Sequence, residues 1–272
     1  MSIVAISPTI GSLGDEIGRE VARAHGYEFA DREIIEQAAA RFGEGVMQLA
    51  HVTEEKPTLW ERFVDTSRRY MTYVEAIVLE LASRDDVVLA GRGAAFLLGS
   101  TRHVLRVRIT APERMRANRL VQLQGLVPEA AETLVRQSDN ELGARVRYLY
   151  HVDWNDPLLY DLVINTDRMT VPEGAAVIER ALQSPRYQST ERTMHELREL
   201  SLVTQCRAAL QAHPDTRPLD LRVTGGYHLI TLSGMVEYDE LRQRAEAVIT
   251  AIPGVVAVRN DIVVRPRITV PA

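Results

Sequence analysis

Cysteine, lysine and aromatic residues are scarce in this sequence. Cys206 is the only cysteine among 272 residues, so no internal disulfide can form and a cysteine metal site lacks partners. It falls in an apolar helical pattern, which reads as a small buried hydrophobe. Lys56 is the only lysine, and every other basic residue except histidine is arginine. Codon usage in a GC-rich genome is the bland source of such a bias. Its chemical consequence is that phosphate, if bound, is met by planar, permanently charged guanidinium groups rather than by a lysine point charge. No apolar run approaches a membrane span, and the N-terminus has no charged segment leading into an apolar one. A soluble cytoplasmic protein is the expectation. The net charge of −5 argues against nucleic acid or anionic lipid as a partner of the whole surface, leaving only a local basic patch open.

What is present is the composition of a globular chain, 46% hydrophobic and 25% charged, with length for one large domain or two ordinary ones. Short apolar runs over 3–6, 27–29, 87–90, 104–109 and 162–164 read as strands. Between them lie helical patterns: Ile17, Val21 and Ala24 in one, ended by Gly26, and Ile34, Ile35 and Ala38 in the next, with Asp31 placed to cap it. A long periodic stretch over 58–82 reads as one amphipathic helix, whose apolar side is either core or a dimer surface. Pro112 begins another helix, and a last one closes the unit over about 172–183. Strands alternating with helices predict an α/β fold, a mostly parallel sheet with helices on both faces. Ligands of such sheets sit at the carboxyl ends of the strands, here the loops after Ile6, Phe29, Ala90 and Ile164.

The pattern stops in a polar stretch, and a linker is expected over 185–193, with a first domain over 1–184. Beyond it the order becomes helix (194–212), strands (219–225 and 228–233), helix (237–252) and strand (255–264). This is a second, small α+β unit of α-β-β-α-β order over 194–266, followed by a tail over 267–272. His213 and His228 read as surface residues of this unit rather than ligands.

Residues 3–18 have the layout of an anion site: a strand, a glycine-containing loop and a helix N-terminus, whose amides and dipole face the ligand. A P-loop ends in Gly-Lys-Ser/Thr, but here those positions hold Gly14, Asp15 and Glu16, and two carboxylates repel phosphate unless magnesium or arginine intervenes.

Several blocks together resemble the cytidylate-kinase-like family. They are Ile6-Ser7-x-x-x-Gly11-Ser12-x-Gly14-x-Glu16-Ile17-Gly18, Asp31-Arg32-Glu33-Ile34-Ile35, Gly91-Arg92-Gly93-Ala94, and Ala111-Pro112-Glu113 with Arg116 and Arg119. Asp153-Trp154-x-Asp156-Pro157 and Tyr160-Asp161-Leu162-Val163-Ile164-Asn165-Thr166 complete them. The resemblance spans about 1–183 and implies a P-loop nucleoside-monophosphate-kinase fold with an arginine-bearing lid over about 125–155. It implies ATP phosphates against Gly11, Ser12 and Gly14, an acceptor nucleotide near Asp31, Arg32 and Arg92, and Arg116 and Arg119 facing phosphates from the lid side. ATP with Mg²⁺ is the implied cosubstrate, and no metal ligand from the protein is assigned. The family's loop commonly reads Ser-Arg-x-x-Gly-Ser-Gly-Gly, where this chain has Pro8 for the arginine and Leu13 for a glycine. A lid motif Asp-x-x-Arg starts at Asp139 but meets Leu142, and Arg145 and Arg147, one turn on, are the candidate replacements.

The C-terminal unit resembles the BON domain, through Leu221-x-Val223, Leu229-x-x-Leu232-Ser233-Gly234-x-Val236 and Gly254-Val255-x-x-Val258-x-Asn260-x-Ile262-x-Val264. BON domains are usually taken as binding modules. With no cationic stripe, protein contact or self-association is expected here rather than lipid. Two functional readings follow. One is phosphoryl transfer from ATP to a nucleoside monophosphate such as CMP. The other, motivated by Pro8, Leu13, Asp15 and Leu142, is a pseudokinase that binds nucleotide as a sensor, with a scaffold that neither binds nor turns over as its limit.

Overall fold

The computed structural model describes residues 2–54, 66–226 and 228–265. Lys56, the first third of the helix expected over 58–82 and the tail over 267–272 lie outside them. Five strands form one parallel sheet: β1 (Ile3–Pro8), β2 (Glu28–Ala30), β3 (Val87–Ala90), β4 (Val104–Thr110) and β5 (Leu162–Asn165), in the order β2-β3-β1-β4-β5. All five coincide with the apolar runs of the sequence. The central strands β1 and β3 are buried on both sides because the sheet carries helices on both faces, whereas the edge strands β2 and β5 are partly exposed.

Side chains alternate along the strands. Ile3, Ala5, Val87, Leu89 and Val104 face a core built with α2 (Arg32–Phe42), α4 (Thr66–Ala82) and α5 (Ala94–Leu97). Val4, Ile6, Val88, Leu105, Val107 and Ile109 face α1 (Gly14–His25) and α8 (Val171–Leu182). α3 (Val46–Glu54) lies beside α2 and α4, and the sequence reading did not anticipate it. α6 (Glu113–Gln124) and the long α7 (Pro128–Tyr150) pack on each other through Ala117, Leu120, Ala131 and Val135. α7 is the helical body of the segment expected to be a lid.

The polar stretch after α8 holds a short 3₁₀ turn at Pro185–Tyr187, and α9 (Glu191–Ala212) begins three residues before the helix expected there. Thr190 caps it, its hydroxyl accepting the amide of Thr193. α9 is buried on two sides. Leu197 and Ala208 join the α4 side of the first core, whereas Cys206 and Leu210 belong to the core under the second sheet. That sheet has the order β6-β7-β8, from β6 (Leu221–Gly226), β7 (Leu229–Val236) and β8 (Ala257–Val264), with α10 (Asp239–Thr250) packed on the same side as α9. The described part of the 58–82 helix is therefore core rather than dimer surface: Tyr73, Val74, Ile77 and Leu81 are fully buried. Cys206 is fully buried, as expected, and burial pushes its thiol up to about 12.

Candidate functional site

The loop between β1 and α1 is held by its carbonyl groups. Arg119 on α6 donates to the carbonyl of Gly11 at 3.1 Å and to the hydroxyl of Thr166 at 2.9 Å. Thr166, fully buried just past β5, donates that hydroxyl to the carbonyl of Ser12 at 2.8 Å. Gly11 and Leu13 both have left-handed backbone, with φ of 71° and 63°. Such a turn presents successive amides to one concavity. Ile17 is the first residue of α1 whose amide reaches a helical acceptor, the Leu13 carbonyl at 3.0 Å. The amides of Gly14, Asp15 and Glu16 are thus the unsatisfied first turn of a helix, a ready anion site. The Ser12 hydroxyl, buried among them, has no protein partner.

The two departures in this loop have visible consequences. Leu13 takes a conformation that costs a branched residue about 1–2 kcal/mol, and its side chain packs on the core between the sheet and α8. Pro8 sits so close to Gly14 that a Cβ on the glycine would lie 2.5 Å from the proline Cβ. Where an arginine would reach outward, the proline closes against the helix start.

Arg116 and Arg119, brought to the loop as the resemblance implied, hold protein groups. Arg116 is 3% exposed and makes a two-pronged bond to Asp139 of α7, at 2.6 and 3.0 Å, with its Nε donating to the Ala111 carbonyl at 2.8 Å. It clamps α6 to α7, and Asp139, read as the start of a lid motif, is its counter-charge.

Beside the loop, at the carboxyl ends of β1 and β3, lies a cleft of about 400 Å³. Its rim and walls include Asp15, Asp31 and Arg32 at the helix starts, the turn Gly91–Gly93, and Gln137, Glu141, Leu142 and Arg145 along α7. Asp31 occupies the position before α2 but makes no capping bond with its carboxylate. That carboxylate instead pairs with Arg92 at 3.4 Å, because the β3 turn delivers Arg92 across the cleft floor. Burial raises the Asp31 acid above the ordinary carboxylate range, against the pull of Arg92. Partial desolvation, then the neighbouring Asp31 and Glu16, raise Asp15 in the same direction. Arg145 lines the cleft almost fully buried, whereas Arg147 points to solvent and is not part of the wall. Of the two candidate replacements for the lid arginine, the structure brings only Arg145 to the cleft.

Arg108 was missed. It stands 5% exposed in β4, its guanidinium 3.7 Å from the centre of the Trp154 ring, and it donates to the Ser7 hydroxyl at 3.1 Å. Tyr160 donates to the Trp154 carbonyl at 2.8 Å, so Trp154, a wall of the cleft, is fixed from two sides. The available signal was a pair of arginines, Arg106 and Arg108, inside a strand of apolar residues, since a buried charge needs a partner.

A parallel sheet with an amide-lined loop after β1 and an arginine-bearing cleft beside it defines a P-loop kinase-like α/β protein. The model of the cytidylate kinase-like family matches residues 3–168, and the chain belongs to that family. A BON domain model matches residues 199–266. Among curated proteins, the cytidylate kinase of Pyrococcus horikoshii is 28% identical over 182 residues, covering 66% of this chain and 86% of that protein. The cytidylate kinase of Methanopyrus kandleri is 27% identical over 190 residues, covering 66% and 92%. A crystal structure of an uncharacterized protein from Eubacterium ventriosum covers 68% of this chain and 99% of its own, with a TM-score of 0.54 at 16% identity, a likeness of fold. Among the described residues no helix is long and apolar enough to cross a membrane.

Proposed function

We propose that this protein is a nucleotide phosphotransferase that moves a phosphoryl group from ATP to a nucleoside monophosphate, CMP-like in its base. The observation that carries this reading is the adjacency of two sites: the amide turn at Gly11–Glu16 and the cleft bearing Arg32, Arg92 and Arg145. Phosphoryl transfer asks a protein mainly for positioning and charge neutralisation. The turn supplies amides for the donor phosphates, and the arginines suit an acceptor phosphate. ATP arrives with its magnesium. Among the described residues no group of three or more His, Cys, Asp or Glu side chains could hold an ion alone. In this reading magnesium is held mostly by phosphate oxygens and water. The BON unit, over 194–266 in this reading, serves as an interaction module for a protein partner or for self-association.

The test is a thermal shift of the full chain with ATP, CTP, CMP and GTP, with and without magnesium, followed by an ADP-release assay with each acceptor. A ligand at a hundred times its dissociation constant adds about 2.7 kcal/mol. ADP release above the blank with one acceptor is the expected result, and binding without any turnover would reject it.

Asp15 favours a second reading, a nucleotide sensor without transfer. It places a carboxylate on the cleft where the P-loop pattern has its lysine. Binding with no turnover is its signature.

A further inference from the structure

β8 is an edge of the second sheet, with no strand on its outer side among the described residues. Its ladder to β7 runs unbroken, from Leu229 opposite Ala257 to Val236 opposite Val264. The amides of Ala257 and Arg265 donate back across that ladder, to the carbonyls of His228 and Val236. Backbone groups alternate in direction along a strand, so those of Val258, Asn260 and Ile262 point away from β7. The Ile262 amide accordingly meets a side chain of its own strand, the Asn260 oxygen at 3.2 Å. Proteins guard exposed edges with lysine, proline, a bulge or an inward charge. Between Ala257 and Val264, β8 has none of these. Its only charges are Arg259 and Asp261, both exposed on the open face of the sheet and 3.0 Å apart.

We propose that β8 pairs antiparallel with β8 of a second copy of this chain, about a two-fold axis through Asn260. The two three-stranded sheets then become one continuous sheet. This rests on the reading of the C-terminal unit as an interaction module. Charge selects a second copy as the occupant and fixes the register. With Asn260 opposite Asn260, Arg259 of each copy faces Asp261 of the other. That pair falls at a position without hydrogen bonds, where side chains come closest, and opposite charges there are favourable. Sliding the strands by two residues sets Arg259 opposite Arg259 or Asp261 opposite Asp261, which is unfavourable. In the proposed register Val258 and Ile262 exchange backbone bonds, and the Ile262 amide passes from the Asn260 side chain to the Val258 carbonyl of the second copy. A two-fold contact of this kind closes on itself and gives a dimer rather than a fibre.

α10 leaves room for the second copy. Asn260 donates its side-chain amide to Glu246 of α10 at 2.8 Å, which sets that flank of the helix beside the β8 edge. The exposed residues next to Glu246 are Ala247, Thr250 and Ala251, small side chains that let the same helix of the second copy come close.

Sedimentation equilibrium of the full chain over a concentration series tests this, for wild type, Asp261→Arg, and the swap of Arg259→Asp with Asp261→Arg. Wild type is expected to dimerise. Asp261→Arg sets arginine against arginine at both symmetric positions and is expected to raise the dissociation constant about tenfold. The swap restores opposite charges across the axis and should restore the wild-type constant. Thermal midpoints of dilute samples should be alike for all three, since both side chains are exposed. A dimer indifferent to Asp261→Arg, or one that the swap fails to restore, overturns the proposal while the module reading stands. A wild type that stays monomeric overturns it as well and takes self-association out of that reading, leaving it only a different protein as partner.

Discussion

Arg119 and Thr166 are joined twice, one arm of the guanidinium meeting the threonine hydroxyl at 2.9 Å and the other its carbonyl at 2.5 Å. Because that hydroxyl continues to Ser12 and the same arginine to Gly11, the loop carbonyls are turned toward α6 and β5. The loop amides are thereby left for a ligand. Arg119 thus shapes the loop after β1 through its backbone.

Replacing Arg119 with Met is expected to weaken nucleotide binding about ten- to a hundredfold, the worth of one or two charge-assisted bonds. The thermal midpoint without ligand should fall by only a few degrees, because the arginine is half-buried. Paired thermal-shift and titration measurements separate the two effects.

Asp139→Asn leaves the buried Arg116 guanidinium without its counter-charge, and is expected to cost about 2–3 kcal/mol in urea unfolding. The double variant Arg116→Met with Asp139→Leu should recover most of that loss, since it removes both charges together. If the single and double variants are equally unstable, the pair is not the clamp between α6 and α7.

His103, at the start of β4, is 1% exposed, and neither ring nitrogen has a hydrogen-bond partner. Burial lowers its ionisation below the usual value near 6.5, although Asp85 and Glu196 pull the other way. As pH falls below about 6.5 the unfolded chain takes up the proton first. Stability contributed by neutral His103 is therefore full above that value and declines below it, toward the folded ionisation. Urea midpoints at pH 7.5 and 5.5 should differ more in wild type than in His103→Leu.

Asp15 is partly desolvated beside Asp31 and Glu16, which raises its acid. Protonating it removes a like charge from the approach of phosphate. Asp15→Asn is expected to tighten nucleotide binding several-fold at pH 7.5, and its affinity should change less than that of wild type between pH 7.5 and 5.5. Equal pH profiles would show that Asp15 does not face the bound phosphates.

The sheet was legible because its strands centre on short apolar runs bounded by glycine, proline or polar residues, and the central ones are buried between two helical layers. The loop after β1 was legible through its glycines. Asp31 was read as a cap and turned out to pair with Arg92, a residue sixty-one positions away whose approach no local pattern records. α9 was taken to follow a linker. Its first turn starts inside that polar stretch because Thr190 caps it and Leu197 then packs toward α4.

By itself, the sequence determined the order of the strands, most of the helices between them, the two sheets and the glycine-bearing loop after β1. Those depend on hydrophobic periodicity and turn chemistry, which act between near neighbours. Only the tertiary structure decided what each arginine does: Arg116 holds Asp139, Arg119 holds the loop carbonyls, Arg108 holds Trp154, Arg145 lines the cleft and Arg147 meets solvent. The reason is physical. An arginine side chain is long and samples many rotamers, so its partner is chosen by which acceptors the packed helices bring within reach, and spacing along the chain carries almost none of that information.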